Sequence, residues 1–170
     1  MTDSPKAATD DAAVDIATDY LDLWNDRQTD EIPGHVASTF RMHDPFAPKK
    51  GVAGPRGEVH GRDGLAAFMN GVDEGFPDFQ VSVTHICPRN GTVLYAGRLE
   101  LTHRGYYFGI PPSNRSAEVG YMGRITVSDG AVVRHWVYPP VLELAAQLRP
   151  GLPGMLLFPA RFIWGQALRR

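Results

Sequence analysis

The stretch FQVSVTHICPRNGTVLYAGRLELT, residues 79–102, decides the fold. Phe79, Val81, Val83 and His85 alternate with the polar Gln80, Ser82 and Thr84, which is the two-residue period of a strand with one covered face. Asn90-Gly91 then breaks the pattern. Both residue types tolerate positive φ, so the pair predicts a two-residue hairpin turn, with the return strand over about Thr92 to Thr102. Further on, Pro111-Pro112-Ser113-Asn114 is a second connection. Ala117, Val119, Tyr121, Gly123, Ile125 and Val127 share one face of a third strand. Asp129-Gly130 is another hairpin signal, Ala131 to Tyr138 is a fourth strand, and Pro139-Pro140 stops it.

Upstream the period changes to that of helices. Val14, Ala17, Leu21 and Trp24, widened by Ile16, Tyr20 and Leu23, predict a helix over about 11 to 27 with Asp10 and Asp11 at its positive end. A helical turn follows near Ile32 to Ser38, then a short strand over Thr39 to His43 that ends at Asp44-Pro45. Residues 46–61 hold Pro48, Gly51, Gly54, Pro55 and Gly57 and read as a long loop. Leu65, Phe68, Met69, Val72 and Phe76 recur at helical spacing until Pro77. Val141, Leu142, Ala145 and Leu148 mark a last helix. Helices first and a strand meander after them imply an α+β fold, with N-terminal helices packed on a curved antiparallel sheet. The hollow of such a sheet is where ligand pockets form.

The chain of 170 residues suits one domain, expected over 10–150, with a mobile tail over 1–9 and a C-terminal extension over 151–170. In the extension a helix is expected from Pro159, with Ala160, Ile163, Trp164 and Ala167 on one side, covering a pocket mouth or a dimer seam. Net charge is −2 with no basic run, which argues against a nucleic-acid partner. No apolar run approaches the roughly 20 residues of a membrane span. The N-terminus has no signal-peptide pattern, so a cytoplasmic location is expected. The single Cys87 excludes an internal disulfide and is expected as a small buried hydrophobe.

An ordered series of short pieces resembles the SnoaL-like polyketide cyclases. It runs Phe76-Pro77-Asp78, Arg98, Thr102-His103-Arg104-Gly105, Phe108-Gly109-Ile110-Pro111-Pro112, Met122, Arg124, Asp129-Gly130, His135-Trp136 and Gln147-Leu148, with His43-Asp44-Pro45 and Gly61 to Phe68 upstream. The resemblance implies the cone-shaped half-barrel shared with nuclear transport factor two and ketosteroid isomerase. It also implies an enzyme without cofactor, often a homodimer, whose type members close a ring by intramolecular aldol condensation of a polyketide ester. In the family an acidic side chain just after the His-Trp pair moves the proton. Here that position is Pro140, and no carboxylate follows before Glu143.

Each candidate carries two readings. His103 is a general base or a donor to a substrate carbonyl, or else a histidine satisfied at the sheet edge. Asp44 is the replacement carboxylate, with a pKa raised in an apolar cone, or the cap of the turn before Pro45. In the last strand His135 and Trp136 face opposite ways. The family pattern points Trp136 and Tyr138 into the pocket, which makes Tyr138 a proton donor and His135 structural; a bulge would reverse this. Arg98 and Arg124 stabilise an oxyanion or pair with Glu100 and Glu118. Phe108, beside Tyr106 and Tyr107, lines a pocket mouth or fills core. His43 and Tyr121 complete the substrate-binding set. His43, Asp44, His103 and His135 match no metal-ligand spacing, so no metal site is expected. Two functions remain: cofactor-independent acid/base chemistry on a hydrophobic carbonyl compound, or a non-catalytic module that binds a small hydrophobic ligand or a partner. They separate on whether polar groups line one pocket.

Overall fold

The computed structural model describes residues 8–149. The expected C-terminal helix, and all but the end of the expected N-terminal tail, lie outside the described residues. The elements are α1 (Asp10–Asp26), a 3-10 turn (Thr29–Glu31), α2 (Ile32–His35), β1 (Val36–His43), β2 (Glu58–His60) and α3 (Gly61–Gly75). They continue with β3 (Gln80–Arg89), β4 (Thr92–Thr102), β5 (Ser116–Ser128), β6 (Ala131–Tyr138) and α4 (Val141–Leu148).

The six strands form one open sheet in the order β2-β1-β6-β5-β4-β3. Both hairpins form as their residues require, with φ of 51° and 72° at Asn90 and Gly91 and of 52° and 76° at Asp129 and Gly130. The sheet is mostly antiparallel, as expected, with one exception: β1 pairs with β6 in parallel. β1 enters from α2 rather than from a hairpin, so nothing local fixes its direction. The loop over 46–61 also contributes a strand, β2, paired with the end of β1. Register shifts in the β3–β4, β5–β6 and β1–β6 pairs bend the sheet into an unclosed half-barrel.

Helix α1 lies across the concave face against β3, β4, β5 and β6, and α3 packs on β1 and β2. Ala13, Ala17, Tyr20, Leu21 and Trp24 form the buried stripe of α1; Leu65, Phe68, Met69 and Val72 form that of α3. Two residues lock the end of α1 to its neighbours. Asn25 exchanges hydrogen bonds with the backbone of Val81, giving at 3.0 Å and receiving at 2.8 Å. Arg27 caps the helix in the left-handed conformation and reaches Asp73 at 2.8 Å and the Pro77 carbonyl at 2.8 Å. Beyond Val81 both faces of the edge strand β3 are wet. Cys87 lies there and is exposed, which corrects the expected burial.

Candidate functional site

A cavity of about 360 Å³ opens in the hollow between α1, α3, α4 and the inner face of the sheet. That volume suits a small organic ligand. Its walls are mostly apolar, with Trp24, Phe68, Leu99 and Leu144 among them. Helix α4 closes one end, held to β5 by Gln147, whose amide accepts from the Glu118 N–H at 3.0 Å and donates to the Glu118 carbonyl at 3.1 Å. Polar groups enter this wall at few points.

Asp44 follows β1 and turns its carboxyl inward, with 9% of the residue exposed. It caps a turn and is buried at the same time. Oδ1 accepts from the Phe46 N–H at 2.8 Å, an Asx-type turn. Burial nevertheless pushes the carboxyl up to about 6, outweighing that hydrogen bond. Among the described residues Oδ2 has no hydrogen-bond partner.

His103 continues the inward alternation of Leu99 and Leu101 from β4. Its Nδ1 accepts from the Ser113 N–H at 3.3 Å, which leaves the hydrogen of the neutral ring on Nε2. Nε2 is buried and has no partner among the described residues. Burial lowers the pKa of the ring, so it stays neutral and presents a donor. The loop that carries it is tied to the Asp44 turn by Tyr107, whose hydroxyl donates to the Phe46 carbonyl at 2.9 Å. Tyr121 also lines the cavity, with a buried hydroxyl that holds no hydrogen bond.

The other candidates lie elsewhere. On β6 the order is the reverse of the one expected: His135 and Val137 line the cavity, whereas Tyr138 is 53% exposed on the outer face. The cause is a bulge. Thr126 pairs with Arg134 but Val127 pairs with Val132, so Val133 has no partner and the parity of the strand shifts there. Trp136 stacks between His43, at 4.6 Å, and Tyr138, at 6.3 Å, with the Arg124 guanidinium 5.3 Å from its ring centre. Arg98 pairs with Glu118 across strands in the exposed ion pair that the plainer reading expected. Phe108 packs on Phe68 and over Gly71, where a Cβ would lie 2.3 Å from its ring, and so fills core. Thus Asp44, His103 and Tyr121 share the cavity, and His43, Arg98, Arg124, Trp136, Tyr138 and Phe108 do not line it. Sequence reasoning passed over Tyr95 and left His135 as structural. Both line the cavity, and the alternation from Val93 to Leu101 already points Tyr95 inward. Among the described residues no three His, Cys, Asp or Glu side chains cluster to hold a metal, and no helix is long and apolar enough to cross a membrane.

The family model for SnoaL-like polyketide cyclases matches residues 14–148. Among solved structures, IdmH from Streptomyces antibioticus, a proposed polyketide cyclase, superposes with a TM-score of 0.68 at 23% identity, covering 80% of this chain and 97% of its own. A proposed SnoaL-like polyketide cyclase from Jannaschia sp. gives 0.69 at 21% identity, covering 87% and 96%. AclR from Streptomyces galilaeus, a proposed hydroxylase, gives 0.65 at 21% identity, covering 82% and 97%. No curated protein matches the chain.

Proposed function

Since this chain belongs to the SnoaL-like polyketide cyclase family, we propose that it is a cofactor-independent acid/base enzyme acting on a hydrophobic carbonyl compound. The observation that carries this reading is the Asp44 carboxyl, lifted to about 6 inside a mostly apolar cavity. At neutral pH such a group is largely ionised, yet basic enough to take a proton from carbon beside a carbonyl. Asp44 thereby takes the role that Pro140 cannot. The C–H electrons move to the carbonyl oxygen as an enolate, and the Nε2–H of His103 is a donor available to it. Attack of the enolate carbon on a second carbonyl closes the ring, and the proton on Asp44 passes to the new alkoxide. The resemblance further supports a homodimer.

The test avoids any need for the natural substrate. A small hydrophobic ketone is incubated with the protein in heavy water, and deuterium entering beside the carbonyl is followed by mass spectrometry. Wild-type protein should catalyse the exchange, and Asp44→Asn should lose about 10²–10⁴ of the rate while still binding the ketone. Exchange undiminished in Asp44→Asn would remove Asp44 from the mechanism. Binding without exchange in the wild type would favour the non-catalytic ligand module, which Pro140 at the family's acid position supports.

A further inference from the structure

The cavity wall also holds a buried histidine, His135, which the chemistry above leaves unused. Burial pushes its pKa down to about 3, so it is neutral and has one N–H and one bare nitrogen. Both nitrogens meet tyrosine hydroxyls: Nδ1 lies 3.0 Å from Tyr20 Oη, and Nε2 lies 2.6 Å from Tyr95 Oη. One hydroxyl must therefore donate to the ring and the other must accept from it.

The surroundings decide which. Tyr20 is fully buried and does not line the cavity. Among the described residues, His135 Nδ1 is the acceptor its hydroxyl reaches; the neighbouring Trp24 indole only donates. If Tyr20 accepted from the ring, its own buried hydrogen would be left without an acceptor, which is costly. So Tyr20 donates to Nδ1, the Nε2–H donates to Tyr95, and Tyr95 keeps its own hydrogen for another acceptor. Tyr95 does line the cavity. Beside it stands Tyr121, edge-on with ring centres 5.6 Å apart.

The sheet is built to let Tyr95 reach that place. Tyr95 on β4 lies opposite Gly123 on β5, and the next strand, β6, carries His135. The tyrosine ring crosses β5 over Gly123, where a Cβ would sit 2.2 Å from its Cζ and Oη. Any side chain at 123 would evict the ring.

We propose that the hydroxyls of Tyr95 and Tyr121 form an oxyanion-binding site in the cavity, taking a ligand oxygen that is or becomes anionic, such as an enolate or an aromatic phenolate. Tyr20 and His135 are positioning residues that hold Tyr95 as a donor. The enolate part rests on the reading of Asp44 above; the binding of a stable oxyanion does not.

The probe is 4-nitrophenol, bound to the full chain and followed through its phenolate absorbance across pH, so that affinities for phenol and phenolate are obtained separately. Tyr95→Phe should weaken phenolate binding about 10-fold or more and leave the neutral phenol little changed, since the lost bond is to a charged acceptor. Gly123→Ala should act in the same direction. Equal effects on both forms, no effect, or a wild type that does not bind the phenolate would overturn the proposal. A measurement on the wild type guards against variants that do not fold: nitrogen-15 NMR of the His135 ring should show Nε2 protonated and Nδ1 bare. The opposite tautomer would mean that Tyr95 spends its hydrogen on Nε2, and it would overturn the proposal directly. Failed deuterium exchange with phenolate selectivity intact would sink the enzymatic reading alone.

Discussion

His43 and Asp44 are neighbours in sequence, as are His135 and Trp136, and in each pair the two side chains fall on opposite faces of one sheet. The faces hold similar chemistry under different conditions. Inside, Asp44, His103 and His135 are buried, and burial moves all three away from their ordinary pKa. Outside, His43, Trp136, Tyr138 and Arg124 stack in a row, and Arg98 meets Glu118 in solvent. The same residue types make a perturbed acid and donors on one face and a ring stack with a surface ion pair on the other. What separates them is desolvation.

The largest expected contrast lies in proton transfer. Asp44→Asn should cost about 10²–10⁴ in the exchange assay, whereas Tyr138→Phe on the outer face should match the wild type. A comparable loss from Tyr138→Phe would break the division between the faces. The exchange rate of the wild type should also rise with pH and level off above about 6, where Asp44 is ionised.

The next contrast is between two inner groups. Below about pH 6 the folded chain binds a proton at Asp44 that the unfolded chain releases down to 3.8, so the Asp44 contribution to stability falls as pH rises. His135 acts in the opposite sense: from 6.5 down to about 3 the unfolded chain takes a proton that the folded chain excludes, so its contribution rises with pH. Each slope is at most about 1.4 kcal/mol per pH unit, and between about pH 4 and 6 they offset each other. Asp44→Asn removes one of them. Denaturant titrations at several pH values should find it more stable than the wild type at pH 7, by at most about 3 kcal/mol, and losing stability as pH falls from 6.5 to 4. Parallel pH curves for the two proteins would mean that Asp44 is not desolvated.

Much of this was legible in the sequence because it rests on short-range rules. Both hairpin turns, the inward face of β5 and the buried stripe of α3 follow from period and φ preference alone. The two readings of Asp44 were both visible, because a turn cap and a buried acid need the same side chain. What stayed hidden depends on the third dimension. Nothing local announces the bulge at Val133, yet it decides that His135 and not Trp136 faces the cavity. Nor does β1 state that it pairs with β6, or β3 that both its faces stay exposed and leave Cys87 wet. Family order misled in the same place: Pro140 has the parity of the Trp136 face, and the bulge makes that face the outer one.

Two smaller effects finish the comparison. Tyr20→Phe removes the donor to His135 Nδ1 and should cost about 1–3 kcal/mol in denaturant unfolding, since a buried acceptor is left without a partner. Arg98→Ala removes half of the Arg98–Glu118 pair, whose side chains are 62% and 54% exposed. Water screens such a pair and its flexible side chains lose entropy in holding it, so the expected cost is about 0–1 kcal/mol, smaller still in high salt. A loss well above that, insensitive to salt and growing with protein concentration, would mean that the outer face is covered in solution by a second copy. The two faces would then be a ligand cavity and an interface, with Trp136 and Arg124 as buried contacts.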